Sequence, residues 1–77
     1  MERYEEELIQ RYLRTDDELR ALYDEHQTLK HQMEDFRKRH YLTSDEEIEM
    51  KRIQKLKLAS KDRIMAILNR HQHDHVQ

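Results

Sequence analysis

Cysteine, glycine and proline are all absent from the 77 residues of this chain. Without cysteine, no disulfide and no thiolate zinc site can staple so small a fold. Without glycine there is no Gly-rich loop to cradle a phosphate. With neither glycine nor proline, nothing in the composition compels a helix to break. Long hydrophobic runs are missing as well: none approaches the ~20 apolar residues of a membrane span. Four glutamates within the first seven residues take the place of a signal peptide's basic and apolar regions. The expectation is a cytoplasmic chain that makes no use of a membrane. No aromatic side chain lies between 42 and 77, and a net charge of −2 gives no overall pull toward a polyanion.

What is present is polar and periodic. Charged residues make up 42% of the chain and hydrophobic ones 35%, a balance that by itself also suits disorder. The abundant Glu, Lys, Arg, Gln and Leu favour helix instead. In "TDDELRALYDEHQTLKHQMEDFRKRH", Leu19, Leu22, His26, Leu29, Met33, Phe36 and His40 step by 3,4,3,4,3,4, which sets one seam along a helix. Thr15 with Glu18 has the spacing of a reciprocal cap, and Asp16 and Asp17 suit the positive end of the helix dipole. These signals predict a helix over 16–39, ~36 Å long at ~1.5 Å per residue.

A second start follows in "YLTSDEE", where Thr43 with Glu46, or Ser44 with Glu47, has the same spacing. It predicts a turn at 40–43 and a helix over 44–70, ~39 Å long. Two helices of matched length joined by a short link form an antiparallel hairpin. One continuous helix is the competitor, and it would waste both adjacent cap signals. Residues 2–14 form a short N-terminal helix, set to pack across the open end of the hairpin or to bridge to another protomer. Residues 71–77 read as a frayed, His-rich tail. The fold class is therefore all-α: a single small domain built on a coiled-coil-like helical hairpin that self-associates into a helical bundle.

The hairpin's packing seam is expected from Leu19, Leu22, His26, Leu29, Met33 and Phe36 on one side. Ile53, Leu56, Ile64 and Ile67 make up the other, with Met50 and Ser60 in the same stripe and Leu68 at its edge. With the turn centred near 42, His26 falls opposite Lys57 to Ser60, where the stripe is also interrupted. A polar layer of this kind fixes register at some cost in stability. Leu58 and Met65 lie seven apart on a different face, so the second helix has more apolar surface than one partner helix covers. With Leu8 and Tyr12 they are the candidate interface for a second molecule, and two hairpins forming a four-helix bundle is the simplest way to hide them.

Six basic residues crowd positions 51–63. Lys51, Arg52, Lys55 and Arg63 share the outer side and are the candidate basic face; Lys57 and Lys61 flank the stripe, where their methylene stems cover it. Residues 1–25 hold nine acidic and four basic side chains, and residues 51–70 hold one and seven, so in an antiparallel hairpin opposite charges face each other, within one hairpin or between two. This gives the basic residues a structural use without an external polyanion. Six histidines raise the question of a metal, yet His26 and His31 point to different faces. His71, His73 and His75 alternate, so only an extended tail could gather them, as a weak and adventitious site. No metal ligands are expected, and no cofactor. Catalysis lacks a Ser-His-Asp setting and a pocket, and plentiful carboxylates do not single out an acid–base pair. Neither enzymatic activity nor a small-molecule substrate is expected.

"LYDEHQTL" followed by "YLTSDEEIEMKRIQKLKLASKDRI" resembles the YdcH-like family of small bacterial helical proteins, grouped as a domain of unknown function. The likeness spans about 19–68 and rests on Leu22, Glu25, His26, Leu29, Thr43, Glu46, Glu47, Lys55, Lys57, Leu58, Lys61, Asp62 and Ile64. Ser60 departs from the family's frequent leucine. The resemblance implies a bacterial, cytoplasmic helical hairpin and brings no activity, catalytic residues or binding residues with it. The expected role is non-enzymatic: self-association or docking to a helical protein partner. A nucleic-acid accessory role for the basic face of the second helix is the weaker alternative.

Overall fold

The computed structural model describes the backbone of residues 2–76 and the side chains of residues 2–73. Its helices are α1 (Arg3–Tyr12), α2 (Asp17–Arg37) and α3 (Ser44–Val76), with no strand among the described residues. The long axis measures 51 Å and the other two 20 and 16 Å. The 33 residues of α3 account for that length, since a helix rises ~1.5 Å per residue.

Each boundary has a local cause. The Glu2 N–H donates to Glu5 Oε1 at 2.7 Å, which starts α1. That helix stops at Tyr12, earlier than the expected 14, because the chain turns there: the Thr15 and Asp16 amides and the Thr15 hydroxyl all donate to the Tyr12 carbonyl. Thr15 is thereby turned backward and does not cap α2. The cap is Asp16, in extended backbone geometry, whose Oδ1 accepts from the Leu19 N–H at 2.9 Å. α2 ends at Arg37 rather than 39. Arg39 leaves the helix to lay its guanidinium 5.4 Å from the Phe36 ring and to pair with Glu46 in the first turn of α3. Of the two cap spacings before α3, Thr43 with Glu46 is the one used. Glu46 N–H donates to Thr43 Oγ1 at 3.1 Å and Thr43 N–H to Glu46 Oε1 at 3.0 Å.

α2 and α3 pack together, and partners descend in α3 as they climb in α2: Asp16 meets His71, Glu18 meets Arg70, His26 meets Ser60 and Arg39 meets Glu46. The α3 row that faces α2 runs Glu46, Met50, Ile53, Lys57, Ser60, Ile64, Ile67, His71, in strict 4,3 alternation, and every member is buried or half-buried. Leu56 is not part of it. The alternation passes through Lys57, one position on, and Leu56 remains 38% exposed at the flank. Ser60 stands in the row as expected, and the polar identities of Glu46, Lys57 and His71 are what conceal its other members in the sequence.

The core divides in two. One cluster joins Ile9, Leu19, Leu22, Ile64, Ile67 and Leu68, and the other joins Leu29, Met33 and Ile53, flanked by Phe36 and Met50. Leu8, Tyr12 and Met65 pack against the first cluster. Three of the four residues expected at an intermolecular contact are therefore occupied within the chain, because α1 docks on its own α2 and α3. Leu68, expected at the edge of the stripe, is fully buried for the same reason. The tail is a further correction: residues 71–76 continue α3 as helix, held from the side by His71. Residue 77 lies outside the described residues.

Docking of α1 depends on Ile9, which has no exposed surface. Ile9→Ala is expected to cost ~2–5 kcal/mol, a large share of the ~5–15 kcal/mol that holds a domain folded. Urea unfolding followed by circular dichroism reads this directly. A loss within ~0.5 kcal/mol, the level of an ordinary surface change, would show that α1 contributes no docking energy.

Candidate functional site

Three arrangements bring polar chemistry to defined places on this frame. The first lies mid-way along the α2–α3 seam, where the strict alternation sets His26 and Ser60 at one level. Both are 4% exposed. His26 Nδ1 lies 2.9 Å from Ser60 Oγ, and that hydroxyl donates to the Lys57 carbonyl at 2.8 Å. A serine has one proton to give, so with the carbonyl as its acceptor, Oγ accepts from an Nδ1–H. The pair lies between the two apolar clusters and satisfies itself. Burial holds the His26 pKa below the ordinary value. The Lys57 carbonyl favours the imidazolium, while the Lys57 and Lys30 ammonium groups oppose it.

The second arrangement pins three helices at the open end. Asp16 accepts from Leu19 through Oδ1 and holds His71 Nε2 at 2.7 Å through Oδ2. The His71 ring stacks on Tyr12, centroids 4.1 Å apart and planes 6° from parallel. One carboxylate thus caps α2 and ties the end of α3 to the end of α1. Its pKa lies below the usual range, first because of the Leu19 N–H and then because of His71. Nearby, Tyr23 Oη donates to Glu6 Oε2 at 3.0 Å, and burial followed by that carboxylate raises the phenol's pKa.

The third arrangement is an open groove of about 590 Å³ between α2 and α3, lined by Glu18, Ala21, Leu22, Arg63, Ala66, Ile67 and Arg70. Alanines at two of these positions keep its floor low. Carboxylate stands on the α2 lip and guanidinium on the α3 lip, and the Glu18–Arg70 pair bridges them at 3.7 Å.

The residues singled out from sequence fall differently across these places. Leu19, Leu22, His26, Leu29, Met33, Ile53, Ile64 and Ile67 are buried and Phe36 half-buried, whereas Leu56 and Leu58 are exposed. Lys51, Arg52, Lys55 and Arg63 are all exposed. Arg52 is paired with Glu49 at 3.1 Å, and Arg63 lines the groove. His71 belongs to the pin, the side chain of His75 lies outside the described residues, and among the described residues no group of three or more His, Cys, Asp or Glu is placed to hold a metal. No described helix is long and apolar enough to cross a membrane. The Asp16–His71 pin and the Ala21–Ala66 floor were not foreseen. An acidic residue before a helix reads as a dipole effect, and its second partner is 55 positions away.

Two outcomes follow. His26 has a folded pKa below its unfolded value of ~6.5, so above that pH it is neutral in both states and its contribution is flat. As pH falls below ~6.5 the unfolded chain binds the extra proton and stability declines, levelling only beneath the folded pKa. Urea midpoints from pH 8 to pH 5 should show this decline, and His26→Leu should remove part of it; an unchanged slope in that variant removes the assignment. For the pin, Asp16→Asn keeps a capping oxygen and Asp16→Ala does not, so alanine is expected to cost ~1 kcal/mol more. Equal losses in thermal melts would show that the cap contributes nothing.

No family model, no curated protein and no solved structure matches this chain, so the reading of its sites rests on their geometry.

Proposed function

We propose that this chain is a non-enzymatic helical interaction module: an antiparallel hairpin, stiffened by α1, that docks a helix along its α2–α3 groove. The observation that carries the reading is the groove itself. It runs between two helices whose seam is already filled, its floor is Ala21, Leu22, Ala66 and Ile67, and α1 does not cover it. A trough of small and apolar side chains with charged lips is the shape that accepts an amphipathic helix. Leu56 at 38% and Leu58 at 58% exposure add apolar surface beyond what the chain itself buries. The occupant is a helix from another protein or from a second copy. A bacterial setting and kinship with the YdcH-like proteins are part of the same reading and rest on the sequence resemblance alone; a cytoplasmic setting rests on that resemblance and on the expectation drawn from the sequence.

The test is affinity purification of a tagged chain from its native cells, wild type beside Ala66→Glu, which fills the groove floor with a charge. The reading expects a helical protein, or untagged copies of the chain, to accompany the wild type and to be lost from the variant. A wild-type chain that stays at 9.7 kDa and comes through alone sinks it.

A further inference from the structure

The two lips of the groove carry opposite charge in a repeating order. On α2, Glu18, Glu25 and Gln32 recur every seven residues; on α3, Leu56, Arg63 and Arg70 do the same. Seven residues are nearly two helical turns, so each trio forms a stripe along one side of its helix. Glu18 and Arg70 already meet at 3.7 Å across the groove. Because α3 descends as α2 climbs, the same register sets Glu25 level with Arg63 and Gln32 level with Leu56. Acid faces base at two successive levels, and the least polar level is where Leu56 is exposed. Between the stripes, Ala21 and Ala66 leave room for another backbone to come close.

From this self-complementarity we propose that the occupant of the groove is a second copy of the same chain, docked groove to groove about a two-fold axis parallel to the helices. The inference rests on the interaction reading above and names its partner. A two-fold along that axis keeps every residue at its own level, so α2 of one copy lies beside α3 of the other. Glu18 then faces Arg70 of the partner subunit and Glu25 faces the partner's Arg63, each contact occurring twice as an isologous interface requires. A two-fold across the long axis would instead lay each helix on its own copy, acidic row on acidic row. Charge therefore selects one arrangement, and like-charge juxtaposition excludes the other. The result is a four-helix bundle with each α1 on an outer side. Exchanging the Glu18–Arg70 pair within a chain for the same pair between chains loses little, since both side chains are about two-thirds exposed.

The face is large enough. The 21 residues of α2 span ~32 Å at ~1.5 Å per residue, so a face 20 Å wide presents on the order of 600 Å² per copy, at the lower end of the ~1,200–2,000 Å² total of a specific interface. Its apolar content comes from Leu56, the two alanines and the rims of Leu22 and Ile67, so it resembles a moderately polar association surface more than a sealed core. Raised salt is expected to weaken the association, because the flanking charges are solvent-exposed.

The experiment is size exclusion with light scattering on the full chain over a concentration series, at low and high salt. Wild type is expected at twice 9.7 kDa. Glu25→Arg alone and Arg63→Glu alone each create two repulsions in the homodimer, and each is expected to weaken association tenfold or more while circular dichroism keeps the wild-type helicity. An equimolar mixture of the two variants should restore the dimer. One contact then pairs the introduced arginine with the introduced glutamate, and the other pairs the native Glu25 with the native Arg63. Each chain in that mixture still carries its own internal mismatch, so recovery reports on contact between chains. A dimer indifferent to both changes means association through another face, such as that of Leu58; this overturns the groove-to-groove arrangement and leaves the interaction reading standing. A wild-type monomer at every concentration overturns the second copy. If that monomer also captures no helical partner, the interaction reading falls with it.

Discussion

The arrangement of this molecule depends on one buried polar contact, His26 to Ser60, between α2 and α3. Heptad-like seams are degenerate: sliding one helix by seven residues puts apolar side chains against apolar side chains again. Here such a slide sets His26 against Ile53 or Ile67, and Ser60 against Leu19 or Met33. Each buried polar group left without a partner then costs ~1–3 kcal/mol, while the intact pair returns only ~0.5–1.5 kcal/mol. The contact contributes little net stability and much discrimination between registers. Everything at the ends of the molecule follows from the register it selects: Asp16 reaches His71, Glu18 reaches Arg70, and Arg39 reaches Glu46.

With the register set, the two sides of the α2–α3 pair have different fates. α1 lies on one side and buries Ile9 against Leu19, Leu68 and their neighbours. Burying an isoleucine fully contributes ~1.5–3 kcal/mol, a substantial share for a chain this short. The stacked Tyr12 and His71 rings and the Asp16 carboxylate then hold α1 where Ile9 put it. The other side keeps an open groove with alanine at its floor and opposite charges on its lips. The chain has one short helix to spend and places it on the side where Leu68 and Met65 would otherwise be exposed.

Much of this was legible in the spacing of residues. The 3,4 row of α2 from Leu19 to Phe36 announces its buried face, and Thr43 with Glu46 announces the start of α3. Two readings failed for physical reasons. The buried row of α3 passes through Glu46, Lys57, Ser60 and His71, and a search for apolar residues steps aside to Leu56 at the one level where the true member is lysine. A lysine can occupy such a position because its methylene stem packs while its ammonium reaches water. Likewise Leu8, Tyr12 and Met65 announce that they need cover without saying whose.

The sequence by itself determined that this chain is helical, where its helices start, and which face of α2 turns inward, because caps and 3.6-residue periodicity are local properties. Tertiary structure decided that the Asp16 cap also holds His71, that α3 continues past residue 70, and that α1 covers its own core. Each of those outcomes depends on contacts between residues far apart in the chain. An N-cap oxygen can be chosen by a neighbour three residues away, whereas a histidine 55 positions on can be chosen only by the packing that brings it near.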